Sequence, residues 1–495
     1  SLISDGTDRP QVVGGCRRGG RSAIAALPMY ARWRRAILVA GAVLALSASG
    51  ASDPSGQQLQ QLRHEACEDK RSDCGLYSGR GPMGGGCDRH PDYMRVFCRS
   101  TCGFCDEPEI ELRVEPLQLG NHSVKVMSSR GVRHWCFFEL PTRESACRGD
   151  ELGTADTNLE ATCSNGSGGT RTHVAMAHYY DSRSHNLSSL VYRWDSSSKS
   201  FTEHQAFATV GAWDLAAFEV SGSWYLAVAS FFDGHSRDLN STVLRWDIDA
   251  DEFKPHQELP TKGAMDVEAF VQGGVALLVF TGNHDGRHGD ATTAESRIFL
   301  WDGSRFEDFQ TIETSGGYDA ELLTVDDGAT ALLVIVHEKR VDVFEASMAA
   351  LRRVPAGFVD VGFSLLQHVE VPHGRDAKGF WLDGSLYLAL AVFRDEMSYE
   401  ADSCIYSWDL VDRQFVEIQR ISTVGAFDVD LVSFDGEGPY LLLANQRSGL
   451  STMYSWSLQG WMPSMNFSAQ RAYDVAWHHV REAETYYFGI ARFGD

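Results

Sequence analysis

The chain has 495 residues, 43% of them hydrophobic and 22% charged, a globular composition with enough length for two or three domains. Lys and Arg number 44 against 67 Asp and Glu, a formal net charge of -23. That excludes nucleic acid and other polyanions as electrostatically steered partners and leaves basic proteins, cations and neutral glycans. In chain order, residues 1–28 are Gly- and Arg-rich, stand upstream of Met29, and read as a disordered or spurious extension outside the fold. Residues 29–51 read as a signal peptide: Arg32, Arg34 and Arg35 precede the apolar run Ala36 to Leu46, which ends in Ser47-Ala48-Ser49-Gly50-Ala51. At about 1.5 Å per residue that run covers only ~17 Å of a ~30 Å hydrocarbon layer, so it is a leader and not an anchor. No other stretch is long enough to form a transmembrane segment, and the expected location is secreted, extracellular.

A polar linker (52–66) leads to six of the eleven cysteines, Cys67, Cys74, Cys87, Cys98, Cys102 and Cys105, packed into residues 67–105. So short a segment cannot bury enough apolar area to fold unaided, and such density reads as a disulfide framework formed in an oxidising compartment. Spacing alone leaves the connectivity open. The Cys67-Glu68-Asp69 start, Tyr93-Met94 before Cys98 and the Cys102-Gly103-Phe104-Cys105 finish resemble the ShK toxin-like (ShKT) domain. The resemblance implies pairs Cys67 with Cys105, Cys74 with Cys98, and Cys87 with Cys102. In the channel-blocking toxins a Lys precedes the Tyr corresponding to Tyr93; Asp92 stands there, and an acid is repelled by a cation-selective pore, so the module reads as an interaction or spacer unit.

From residue 109 to 495 the chain repeats itself. Val191-Tyr192-Arg193-Trp194-Asp195, Val243-Leu244-Arg245-Trp246-Asp247, Ile298-Phe299-Leu300-Trp301-Asp302 and Ile405-Tyr406-Ser407-Trp408-Asp409 share one strand template, with degenerate copies ending at Glu345 and Ser457. Between them lie seven markers, usually a Gly three residues before an Asp: Gly153/Asp156, Gly211/Asp214, Gly263/Asp266, Gly316/Asp319 and Gly425/Asp428, with Asp376 and Asp474 looser. A period near fifty residues with about four short strands per unit predicts an all-β fold, a seven-bladed β-propeller. Only 21 residues follow Asp474, so the last blade needs strands from the other end of the chain; Ser123 to Met127 and His134 to Phe138 read as those two strands. The unit around Arg352 to Asp402, blade five, departs most, lacking the Gly and carrying a longer lead-in.

Asp214, Phe218, Tyr225 to Ala229, Ser241 and Val243 to Asp247 spell out a pattern that resembles the EAR, or EPTP (epitempin), repeat. Proteins of that family are extracellular and their propellers are docking surfaces, so the resemblance implies binding to a cell-surface receptor or extracellular matrix protein without catalysis. The markers, placed where the first strand of each blade meets the central channel, bring carboxylates toward one axis. Asp266 with Glu268, Asp319 with Glu321, and Asp428 with Asp430 double the acid at period two, on one strand face. Gathered carboxylates suit Ca²⁺, and the glioma-inactivated branch of the family carries calcium in its channel, so Asp214, Asp266, Glu268, Asp319, Glu321, Asp428 and Asp430 are candidate calcium ligands. The alternative is that each Asp caps backbone N–H groups where its strand begins.

Five sequons, at Asn121, Asn165, Asn186, Asn240 and Asn466, are candidate glycosylation sites in an extracellular protein. Gly282 to Asp290 holds two His and two Asp but reads as a solvated loop, Cys136, Cys147 and Cys163 are candidates for one further disulfide, and Cys404 reads as a buried free thiol. The rival functions are a propeller hydrolase, glycosidase or lactonase-like, and a lectin that binds glycan. Acids that recur blade by blade, with no nucleophile and base signature, speak against the hydrolase.

Overall fold

Alternating β-branched and aromatic runs fold into seven four-stranded sheets in a computed structural model of the protein, which describes residues 112–119, 122–129, 131–142, 169–181, 184–283, 293–353, 361–434, 437–469 and 471–492. The leader, the six-cysteine segment and its three bridges, Asn121, Asn165, Cys147, Cys163 and most of the 282–290 loop lie outside the described residues. Each sheet is a blade: blade 1 spans 132–210, blade 2 212–262, blade 3 264–315, blade 4 317–369, blade 5 374–424 and blade 6 426–468. Blade 7 joins the C-terminal strands Ala472–Val480 and Thr485–Arg492 to the N-terminal strands Arg113–Leu119 and His122–Ser129. The two chain ends thus share one sheet, as expected.

Three expectations need correction. The strand Val132–Pro141, which contains 134–138, does not belong to the closing blade; it is the inner strand of blade 1 and pairs with Thr170–His178. Gly153/Asp156 is therefore not the first marker, and both residues lie outside the described residues. Gly131 and His134 hold that place, with the same spacing of three, and a 28-residue connection (142–169) stands where blade 2 has only Ser221 and Gly222. Nor does the long lead-in belong to blade 5: the short helix Met348–Leu351 and the residues after it connect the third and fourth strands of blade 4.

The inner strands carry buried residues on both faces, as in Ala212–Val220, because each is packed between two neighbouring blades. The outer strands, such as Gln414–Val424, alternate buried and exposed positions away from a bulge near their middle. Seven separate hydrophobic clusters result, one at each seam between adjacent blades. Phe218 and Phe280 meet at the seam of blades 2 and 3, and Leu322 and Leu333 face Phe270 and Leu277 at that of blades 3 and 4. Each fully buried side chain of this size contributes about 1.5–3 kcal/mol. A glutamine strengthens five seams at the outer edge by donating to the backbone C=O and accepting from the backbone N–H of one residue of the next blade: Gln205 on Phe253, Gln257 on Phe306, Gln310 on Phe363, Gln367 on Phe415 and Gln419 on Trp461.

The marker glycine makes the sharp turn from one blade's outer strand to the next blade's inner strand. Gly211 has φ +53°, and a Cβ there would stand 2.0 Å from the Phe232 carbonyl oxygen. His373 and Arg471 adopt the same left-handed conformation three residues before Asp376 and Asp474, so the turn is kept in the two blades where its sequence signal is lost. In the closing blade His122–Ser129 pairs in parallel with Thr485–Arg492. Chain direction requires this: each of the two strands adjoins an inner strand through a tight reversal, and all inner strands run the same way around the ring.

Candidate functional site

The axis of the ring is lined by the first residues of the seven inner strands. A register shift just before each marker bulges the preceding residue. Two layers follow. The bulged residues, Arg133, Trp213, Met265, Tyr318, Arg375, Phe427 and Tyr473, line a small cavity at the channel mouth together with the marker residues His134, Asp214, Asp266, Asp319, Asp376 and Asp474 beneath them. Asp428 completes the marker layer and is fully buried.

In the marker layer each carboxylate reaches across a seam and accepts the first available backbone N–H of the next blade. Asp214 accepts from Val267 at 2.9 Å, Asp266 from Ala320 at 3.0 Å, Asp319 from Ala377 at 3.0 Å, Asp376 from Val429 at 2.8 Å and Asp428 from Val475 at 3.1 Å. Asp474 of blade 7 accepts from Trp135 of blade 1 at 3.2 Å, which closes the circle. At the seam of blades 1 and 2 His134 replaces the acid. Its Nδ1 lies 2.8 Å from an Asp214 oxygen and 3.3 Å from the Leu215 nitrogen. Its Nε2 lies 3.7 Å from an Asp474 oxygen, so the imidazole stands between the acids of blades 7 and 2.

Two residues further along the inner strands the doubled acids occupy a second layer. Glu268 accepts from the Leu322 N–H at 3.2 Å across the seam of blades 3 and 4. Asp430 lies 3.5 Å from Lys378 Nζ, both buried, so blade 5 supplies a cation to blade 6. Glu321 is buried at the same level. Of the seven candidate ligands Asp214, Asp266 and Asp319 line the cavity, and six of the seven, all but Glu321, make a contact to a neighbouring blade. Among the described residues no three His, Cys, Asp or Glu side chains converge closely enough to hold a metal ion.

The mouth layer is built on cation–aromatic contacts. Arg133 Cζ sits 4.7, 5.0 and 5.2 Å from the rings of Tyr473, Trp213 and Tyr179, and Arg375 sits 3.9 Å from Tyr318 and 5.1 Å from Phe393. Burial lowers the Arg133 guanidinium below its ordinary range and pushes the Tyr318 hydroxyl up to about 12. Burial would raise the Glu338 carboxyl, but Arg375, Tyr318 and His373 outweigh it and hold it below the usual range. His134, Lys378, Arg133 and Arg375 escaped the sequence reading. Only His134 carried a usable signal, its spacing of three from Gly131.

Elsewhere, Asn186, Asn240 and Asn466 are exposed on strands, Cys136 is disulfide-bonded with its partner outside the described residues, and Cys404 is a buried free thiol as expected. The Asp of the Trp-Asp pairs caps the turn that follows it: Asp302 accepts from Ser304 and Arg305, and Asp409 from Val411 and Asp412.

Fold and site together define a closed seven-bladed propeller whose channel acids fasten one blade to the next. The EPTP domain model matches residues 200–247, 252–302 and 414–457, and the ShK domain-like model matches 66–105. The chain carries EPTP repeats and an ShK-like domain. Each matched repeat begins with the outer strand of one blade and ends with the third strand of the next, so the unit repeated in sequence spans a seam.

The chain is 25% identical over 304 residues to the thrombospondin-type laminin G domain and EAR repeat-containing protein of Mus musculus, covering 57% of this chain and 42% of that one. It is 22% identical over 275 residues to the leucine-rich repeat LGI family member 2 of Homo sapiens, covering 54% and 44% respectively. It therefore spans less than half the length of these curated relatives. The periplasmic gluconolactonase PpgL of Pseudomonas aeruginosa aligns with a TM-score of 0.42 at 16% identity, over 61% of this chain and 84% of that one.

Proposed function

We propose that this chain is an extracellular recognition protein whose propeller docks a polypeptide of the cell surface or matrix, without catalysis. The observation that carries the reading is the commitment of the channel carboxylates: six marker acids each accept a neighbouring backbone N–H, and the repetition around the ring is that of a structural device. A hydrolase needs acids whose environments differ enough to divide acid and base roles. The two curated relatives, in which EAR repeats or an LGI-type chain appear alongside laminin G or leucine-rich units by name, support a binding module on a multidomain chain. The disulfide at Cys136 and the ShK-like cysteine segment support an oxidising compartment, and among the described residues no helix is long and apolar enough to cross a membrane.

The test is capture from intact cells by the secreted chain, with crosslinking and mass spectrometry, beside a turnover screen on glycosides and lactones. Saturable recovery of one surface protein supports docking; substrate turnover without a captured partner transfers the function to the hydrolase. Calcium enters this reading through the resemblance alone.

A further inference from the structure

The repeats serve as controls for one another, because seven copies of one scaffold meet the same folding requirements. The turn between the third and fourth strands is a place where they differ. In blade 1 it reads Ser196-Ser197-Ser198 and in blade 3 Gly303-Ser304, ordinary turn residues held by the preceding Asp. Blade 5 keeps the same Asp-capped turn but fills it with Leu410 and Val411, 70% and 89% exposed, and blade 6 has Leu458 fully exposed there.

The adjoining ends of the outer strands follow the same division. Just after the turn, blades 1, 2 and 3 carry Thr202, Lys254 and Glu307, whereas blades 5 and 6 carry exposed Val416 and Met462. Between residues 186 and 353 no described large hydrophobic residue is exposed. On the lower rim, the end opposite the marker turns, the exposed apolar side chains are therefore confined to the arc of blades 4 to 6, while Met397, Tyr399 and Leu450 of blades 5 and 6 are exposed at the marker end. Exposed Val and Leu in turns stabilise nothing in the fold and are retained at a cost in solubility.

Charge selects the kind of partner. Both exposed arginines of the arc are already paired, Arg413 with Asp326 and Glu345 and Arg420 with Glu417. Asp383 and Asp412 are exposed on the neighbouring turns, in a chain of net charge -23. A second copy would bring acid against acid. The described sequon asparagines lie away from this end: Asn186 and Asn240 begin third strands at the marker end, and Asn466 lies beyond the bulge of its strand.

We propose that the lower rim of blades 5 and 6, centred on Leu410, Val411 and Leu458, is the docking surface for a cationic polypeptide segment that presents apolar side chains. This rests on the docking role proposed above and assigns its location and chemistry. The seated segment places aliphatic groups over the blade 5 and blade 6 turns and Lys or Arg beside Asp383 and Asp412.

The test uses the double substitution Leu410→Ser with Val411→Ser, which gives blade 5 the turn residues of blade 1 and leaves net charge unchanged, with Val114→Ser on blade 7 as the control for loss of an exposed apolar group. Anisotropy of a labelled amphipathic Leu/Lys peptide on the full chain reads affinity, with Ser/Lys and Leu/Glu peptides for comparison. Expected is saturable Leu/Lys binding weakened about tenfold or more by the double variant and little by the control, with both comparison peptides much weaker. Equal binding to the double variant, or of the Leu/Glu peptide, overturns the proposal. So does concentration-dependent dimerisation, or binding to neutral phosphatidylcholine vesicles, that the double substitution abolishes, since the occupant is then a second copy or a lipid surface. In the cell-capture assay a partner recovered equally by both proteins overturns this location and leaves docking standing; no partner for either overturns docking itself.

Discussion

Removing one seam fastener measures what the ring of acids does. Asp376 and its backbone partner are buried, and Asp376 Oδ2 accepts the Val429 N–H at 2.8 Å across the seam of blades 5 and 6. Asp376→Ala deletes a hydrogen bond to an ionised acceptor and leaves that N–H buried without it, a loss of about 2–3 kcal/mol. Asp376→Asn retains an acceptor oxygen but not the charge and costs about 1 kcal/mol. Urea unfolding gives the total, and hydrogen exchange gives the location: about 2 kcal/mol corresponds to roughly 30-fold faster exchange of the Val429 amide if the seam opens locally. Amides of the seam between blades 1 and 2, on the other side of the ring, should change much less. The exposed turn residue Asp249 provides the comparison through Asp249→Ala, expected within about 0.5 kcal/mol of the parent. If Asp376→Ala matches Asp249→Ala in stability, or leaves Val429 exchange untouched, the acids are not seam fasteners.

Acid should loosen the ring in a defined window. Burial depresses His173 and His178 to about 4, so both are neutral when folded and protonate in the unfolded chain near 6.5. The stability they permit is present above pH 6.5 and is lost as pH falls toward 4, by up to ~3 kcal/mol for each imidazole. His173→Phe, at a site already stacked on Phe138, should flatten that fall in a series of unfolding midpoints between pH 7 and 4. At the marker turn Gly211→Ala should cost several kcal/mol, because its Cβ meets the Phe232 carbonyl; at Gly222, also left-handed but with open space around it, Ala should cost about 1–2 kcal/mol, the conformational strain alone. Denaturation scans would separate the two. The thermal midpoint should not move when the secreted chain is treated with chelator; a fall would return the channel acids to calcium binding.

Much of the architecture was legible in one dimension because a propeller repeats in sequence what it repeats in space. The Trp-Asp pairs end third strands and cap their turns, and the Gly and Asp markers open inner strands, as their spacing implies. Blade 1 was misplaced because His134 stands where the other blades have Asp and a long connection separates its first two strands. Blades 5 and 7 looked irregular because His373 and Arg471 adopt a conformation that sequence reserves for Gly.

The sequence by itself determined the strand period, the number of blades and six of the seven marker residues that open inner strands, since these depend on local patterning and on the requirement that a ring leave no open edge. What each axial acid does was decided only in three dimensions. Asp376 and Val429 are 53 residues apart and meet because adjacent blades bring an inner-strand carboxylate against the next inner-strand backbone. Chain spacing places both on the axis, but whether such acids gather around an ion or pair off along the seams depends on the rotation between blades, which is set by the packing of seven separate hydrophobic seams.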